Sequence, residues 1–203
     1  MVSAPDGLTK PQIRRRCLAY RASLTEAAHR ARSMRLVTHA QALPVLQQAR
    51  CVLAYWPLLQ RREVDTRPLI DWLLARGCRV ALPVVQPRSS GHPPQMEARH
   101  YEGQTRLRPN TWGIGEPTGG ELVPKGDLDA VVVPALAADS LGTRLGTGQG
   151  YYDAFLQGCA LPRIGLLYAA CFLDFIPADP HDVPLTHIVT EEGQRHVQLP
   201  SDA

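Results

Sequence analysis

The stretch from Asp129 to Leu156, DAVVVPALAADSLGTRLGTGQGYYDAFL, constrains the fold more than any other part of the chain. DAVVVP is a short apolar, β-branched run closed by Pro134, the pattern of a buried strand. YYDAFL has the pattern of a helix start, and between the two lies a loop with Gly146, Gly148 and Gly150, preceded by Arg144. Glycines at alternate positions let successive backbone N–H groups converge, and a following helix adds unpaired N–H groups of its own. Such a strand–loop–helix unit suits an anion, phosphate above all. It is neither familiar nucleotide loop. Tyr151 stands where a dinucleotide fingerprint needs its third glycine, and no Gly-Lys-Ser/Thr follows a spacer.

The rest of the chain reads as an α/β protein. Thr9 and Gln12 have capping-box spacing with Pro11 in the first turn, which predicts a helix through QIRRRCLAYRAS. Ser23 and Glu26 repeat the spacing ahead of a second helix over 24–43. CVLAYW predicts a strand, RPLIDWLLARG a helix ending at Gly77, and CRVALPVV another strand. Strand–helix–strand alternation points to parallel pairing. QPRSSGHPPQ, over 86–95, is a Pro/Gly/Ser-rich loop, a natural place for movement over a site, and its His92 has no evident chemistry. MEARHYEG alternates like one arm of an edge hairpin, LRPNTWGIGEP reads as a loop pinned by a buried Trp112, and RIGLLY and HIVTEEG complete the strands. At 203 residues one domain is expected over 9–197, with tails at 1–8 and 198–203.

Charge and cysteine content exclude several functions. Twenty-two basic residues against 19 acidic leave a net charge of only +3, which gives no footprint for nucleic acid. Five cysteines without a Cys-x-x-Cys read as reduced thiols rather than a disulfide framework. The opening MVSAPDGLTK lacks a basic region followed by an apolar run, and IGLLYAACFL is too short to span a bilayer. The expectation is a cytoplasmic monomer without membrane or nucleic-acid partners.

Arg-Leu-Gly-x-Gly-x-Gly-Tyr-Tyr-Asp, with Pro-x-Leu-Ala-x-Asp upstream, resembles the signature of the 5-formyltetrahydrofolate cyclo-ligase (methenyltetrahydrofolate synthetase) family, and the likeness runs from Lys10 to about Glu191. It implies a three-layer α/β/α sandwich around a mostly parallel sheet. It also implies an ATP- and magnesium-dependent conversion of 5-formyltetrahydrofolate, with or without a polyglutamate tail, to 5,10-methenyltetrahydrofolate, ADP and phosphate. In the family a Lys and an Arg four residues on contact nucleotide phosphate. KPQIR fits, so Lys10 and Arg14 join Arg144 there, although three consecutive Arg also suit a solvated helix face.

Leu145, Gly146, Thr147, Gly148, Gln149, Gly150, Tyr151 and Tyr152 form the implied ATP loop, with Arg144 and Lys10 as catalytic cations. Glu63, in EVDT, falls on the family's pterin-binding Glu, where a carboxylate accepts two N–H bonds from the ring. Leu58 and Trp112 fall on the folate side, with Tyr151 serving both substrates; Tyr55 and Trp56 are alternatives to Leu58. Asp153 and Asp182 match the magnesium positions, which two carboxylates beside phosphate suffice to make. Asp179, His181 and Asp182 also suggest a transition-metal cluster, but no second His stands at zinc-ligand spacing.

Ala138, Gln149, Cys171 and Thr186 depart from the family pattern. The missing aromatic at 138 is expected to loosen the pocket floor. These departures keep open a non-catalytic folate- or nucleotide-binding relative. A sugar-phosphate isomerase gives no reason for Lys10, Arg14 and the Gly loop to occur together.

Overall fold

A computed structural model describes residues 7–86, 91 and 93–197. Positions 1–6 of the expected N-terminal tail, the whole expected tail 198–203, and positions 87–90 and 92 of the expected loop with His92 lie outside the described residues. The strands are β1 (Cys51–Leu53), β2 (Arg79–Val85), β3 (Met96–Tyr101), β4 (Leu107–Pro109), β5 (Gly115–Pro117), β6 (Ala130–Pro134), β7 (Ala137–Asp139), β8 (Arg144–Leu145), β9 (Arg163–Leu166), β10 (Phe172–Leu173), β11 (His187–Thr190) and β12 (Gly193–Arg195). The helices are α1 (Lys10–Ser23), α2 (Glu26–Gln41), α3 (Pro44–Gln48), α4 (Arg67–Ala75) and α5 (Tyr151–Leu156).

The main sheet has the order β12-β11-β9-β6-β1-β2-β3. Its five central strands are parallel, and an antiparallel strand closes each edge. Alternation along β6 shows how the layers are made. Val131 and Val133 face the side covered by Ile13 and Cys17 of α1 and Phe155 and Leu156 of α5. Ala130 and Val132 face Leu36 and Val37 of α2 and Leu69, Ile70 and Leu73 of α4. Both faces of the central strands are therefore covered, which is why they read as continuous apolar runs. Full burial of each Val or Leu contributes about 1.5–3 kcal/mol. The arrangement is the three-layer α/β/α sandwich.

Several sequence boundaries move. Gln12 accepts the Thr9 backbone N–H at 2.8 Å, so the start of α1 is as expected. The second helix is capped by Thr25, not Ser23: the Thr25 hydroxyl accepts the Ala28 N–H at 3.2 Å, while Ser23 is spent as the last residue of α1. Pro44, which cannot continue a helix, instead opens the separate short α3. CVLAYW is a strand only to Leu53, because the chain then leaves the sheet to line a cavity. LRPNTWGIGEP is not a plain loop but the β4–β5 hairpin, and its Trp112 is half-buried.

Gly77 ends α4 in the left-handed conformation, φ +79°, donating to Leu74 O at 2.9 Å. Nothing lies within 4 Å of where a β-carbon would stand. Gly77→Ala therefore meets conformational cost alone, and urea unfolding should show a loss of about 1 kcal/mol.

Candidate active site

In parallel sheets, ligands bind beyond the carboxyl ends of the strands where the chain reverses its order of travel. Here that point lies between β1 and β6, since the chain goes from β1 outward to β2 and from β6 outward through β9 to β11. A cavity of about 450 Å3 opens at this place. Tyr55, Trp56 and Leu58 follow β1 into its wall, Pro83 and Val85 come from the end of β2, and Pro134, Ala135 and Leu136 from the end of β6.

Short hairpins and turns position the polar groups. β7 and β8 pair antiparallel, with Ala138 opposite Arg144, so the turn at 140–143 sets where Arg144 stands. Asp139 organises that turn from a fully buried carboxylate. Its Oδ1 accepts the Leu141 and Thr143 N–H groups at 3.0 and 2.9 Å, and its Oδ2 accepts Ile176 N–H at 2.8 Å. Burial nevertheless raises the Asp139 carboxyl above the usual range. After β8 the loop needs left-handed backbone at Gly148 (φ +95°) and Gly150 (φ +74°), conformations that side-chain-bearing residues rarely take. α5 is only six residues long, ending before Gly158 at φ +72°. The sequence pattern promised a stronger helix dipole than so short a helix delivers, so the loop's own N–H groups must do most of any anion binding.

The cations each hold a protein partner. Arg144 Nη2 donates to Asp153 Oδ1 at 2.7 Å, and its Nε–H is buried without an acceptor among the described residues. Asp153 Oδ1 also accepts the Val183 N–H at 3.2 Å. Arg14 Nε donates to Gly146 O at 3.0 Å, tying α1 to the glycine loop. Lys10 Nζ lies 2.6 Å from both Asp179 Oδ2 and Asp182 Oδ2. Burial works to lower the Lys10 ammonium, but its two carboxylate partners outweigh that and raise it. Burial likewise opposes ionisation of Asp182, yet the Asp179 N–H and Lys10 bring it below the usual range.

On the other wall Glu63 Oε2 accepts the Leu58 N–H at 2.9 Å. Trp112 meets Tyr151 edge-on, ring centroids 5.7 Å apart. The Tyr152 hydroxyl is buried without a partner among the described residues, and burial pushes its ionisation well up. It is therefore a neutral donor.

The structure brings Lys10, Arg14, Leu58, Glu63, Trp112, Arg144, Asp153, Asp182 and the whole run Leu145–Tyr152 around this one cavity. Sequence reasoning missed Arg21 and Glu116 in the same wall, and named Asp179 there only as part of a transition-metal cluster. Arg21 had a signal: Lys10, Arg14 and Arg21 stand at i, i+4 and i+11, one face of α1. Glu116 is pinned by Val85 N–H at 3.1 Å and Asn110 Nδ2 at 2.7 Å, a contact that only the β4–β5 hairpin creates.

The family model for "5-formyltetrahydrofolate cyclo-ligase family" matches residues 7–191. This chain belongs to the 5-formyltetrahydrofolate cyclo-ligase family. The 5-formyltetrahydrofolate cyclo-ligase of Mycolicibacterium smegmatis is 35% identical over 186 residues, 90% of this chain and 93% of that one. The Escherichia coli K12 cyclo-ligase is 35% identical over 133 residues, covering 63% of this chain and 71% of its own. Among solved structures, the Aquifex aeolicus 5,10-methenyltetrahydrofolate synthetase superposes with a TM-score of 0.79 at 28% identity, covering 97% of this chain and 96% of that one. The chain is thus a member of an enzyme family named for ring closure of a folate, and its fold is the cyclo-ligase fold. Among the described residues no helix is long and apolar enough to cross a membrane.

The departures from the family pattern fall mostly away from the cavity. Ala138 is fully buried in β7 rather than on a pocket floor, and Cys171 is buried beside α1. Thr186 bonds the backbone of Arg163 on both sides. Only Gln149 of the four lines the cavity.

Proposed function

We propose that the chain converts 5-formyltetrahydrofolate to 5,10-methenyltetrahydrofolate with consumption of ATP. The observation that carries this is the division of one cavity between two chemistries: Lys10, Arg14, Arg144 and the glycine loop on one side, Glu63, Leu58 and Trp112 on the other. A formyl oxygen is a poor leaving group, so it must first be phosphorylated; the neighbouring N-10 amine then attacks the activated carbon and phosphate departs. For such a reaction a protein chiefly positions its ligands and stabilises phosphoryl charge.

Lys10, Arg14 and Arg144 would take the phosphates, Lys10 and Arg144 exchanging carboxylate partners, and Arg14 the Gly146 carbonyl, for phosphate oxygens as the nucleotide enters. The buried Arg144 Nε–H is one donor ready for that exchange. Leu145–Gly150 would supply backbone N–H groups, and Tyr151 and Tyr152 stand where the loop meets both substrates. Glu63 would take the pterin edge, and Leu58 and Trp112 its faces.

The residues also fit magnesium. Asp153 and Asp182 are half-buried oxygen donors lining the phosphate side, and Asp179 adds a third. An all-oxygen set suits a hard cation that is also bound through phosphate. Magnesium, when bound, supplies charge compensation for the transferred phosphoryl group. The cluster of Asp179, His181 and Asp182, whose ligand atoms lie within 4.8 Å of one another, has one nitrogen donor and is taken up by Lys10. With one nitrogen donor and both carboxylates paired to Lys10, it does not make a zinc site.

The test is turnover of 5-formyltetrahydrofolate, followed by the near-ultraviolet absorbance of the methenyl product. Product should form with ATP and magnesium together and disappear when either is omitted. Folate binding without product or ATP consumption would sink the catalytic reading and leave a binding protein.

A further inference from the structure

One charged side chain in the cavity wall has no task in this scheme. Arg21, in the last turn of α1, is 5% exposed and lines the cavity. Its Nη2 donates to Ala135 O at 2.6 Å, and its Nη1 stands 3.8 Å from Glu63 Oε1. Its Nε–H is buried with no acceptor among the described residues. The other Glu63 oxygen, Oε2, is occupied by the Leu58 N–H, while Oε1 has no hydrogen-bond donor among the described residues.

This is a poor way to stabilise a fold. A guanidinium removed from water is costly unless it is closely paired and its N–H groups are satisfied. At 3.8 Å the pair with Glu63 is not a hydrogen bond, and one N–H goes unused. An apolar side chain of similar length would fill the space at lower cost. What the charge supplies is a fixed partner for Glu63, anchored on the backbone that leaves β6. Glu63 is thereby held with one oxygen spent on its own loop and the other free to accept.

We propose that Arg21 is a positioning residue for the folate: it compensates and orients the Glu63 carboxylate so that Oε1 accepts N–H groups from the pterin edge. This rests on the folate reading above. It makes Arg21 matter to one substrate and not to the other, although it shares α1 with Lys10 and Arg14.

A double-mutant cycle on the full chain tests it, using Arg21→Met, Glu63→Gln and the pair, with Arg21→Lys as the charge-retaining variant. The readouts are KM for 5-formyltetrahydrofolate, KM for MgATP, folate affinity from tryptophan fluorescence, and the thermal midpoint. Arg21→Met should raise the folate KM about tenfold or more and leave the MgATP KM within about twofold. Arg21→Lys, shorter and unable to fork, should fall between, at about threefold. On the Glu63→Gln background Arg21→Met should add about twofold at most, because the residue through which it acts is already lost.

A structural role would move both KM values and the thermal midpoint together, and its effect would add in full to Glu63→Gln. Either that result, or an unchanged folate KM in Arg21→Met, overturns the inference. If Arg21→Met does not fold, Arg21→Lys decides: a folate KM equal to that of the wild type overturns it. A wild-type chain that neither turns over nor binds folate removes the folate reading and this inference with it. An active wild type with an additive cycle removes this inference alone.

Discussion

Arg144→Ala is expected to lower kcat by roughly 10²- to 10³-fold, about 3–4 kcal/mol of barrier, the scale on which a preorganised charge stabiliser acts. Arg144 is 8% exposed and anchored by Asp153 at 2.7 Å, so its charge is held in place before any ligand arrives. Preorganisation of that kind acts on charge as it develops, and water admitted to the space left by the guanidinium would reorient only after the fact. Arg144→Lys should recover part of the loss, since it keeps the charge but not the fork. The folate KM should change far less than kcat, because Glu63 and Trp112 lie on the other wall. Steady-state kinetics with both substrates varied checks this. A kcat within about threefold of wild type would remove Arg144 from the catalytic set.

The second large effect is on stability. Asp139→Ala deletes an acceptor of three backbone N–H groups, from Leu141, Thr143 and Ile176, two of them bonded through buried contacts. Bonds to a charged acceptor are worth about 1.5–3 kcal/mol each, and donors left unsatisfied inside the protein add their desolvation cost. Against this, the alanine removes a buried carboxylate whose ionisation burial itself opposes. The balance should be a net loss of about 3 kcal/mol in urea unfolding. Because the turn that fails is the one leading into Arg144, kcat should fall too. Asp139→Asn keeps one acceptor and should lie between. A variant as stable as the wild type would show that the turn holds without its carboxylate.

How legible the site was in the chain depends on the reach of the interaction. The glycine loop, Arg144 and Asp153 fall within ten residues of one another, so their register is visible as a string. KPQIR is visible through helix periodicity. The parallel sheet followed from apolar runs alternating with helices. The β4–β5 hairpin did not, because Asn110, Trp112 and Glu116 reveal their partnership only once β2 lies beside β5. Arg21 was hidden for a related reason: among so many arginines, nothing local distinguishes one that faces Ala135, 114 positions away. Helix bounds erred where two cap residues competed. Ser23 and Thr25 both suit a cap, and the end of α1 decided between them. The importance given to Ala138 failed because β7 is the middle strand of a small sheet, between β10 and β8, and the face a residue takes there cannot be read from a motif.

One contact has a consequence for how the molecule comes into being. Lys10 reaches Asp182 across 172 positions of chain, closing one side of the cavity with groups far apart in sequence. During synthesis α1 emerges long before the segment carrying Asp179 and Asp182, and Lys10 lacks these partners until that segment has been made. Non-local closures of this type are late and slow steps. Newborn chains should therefore pass through a stage in which most of the sheet exists while this side of the cavity is still open. Closure of that side would then be a late step of assembly, a segment made late completing what one made much earlier began.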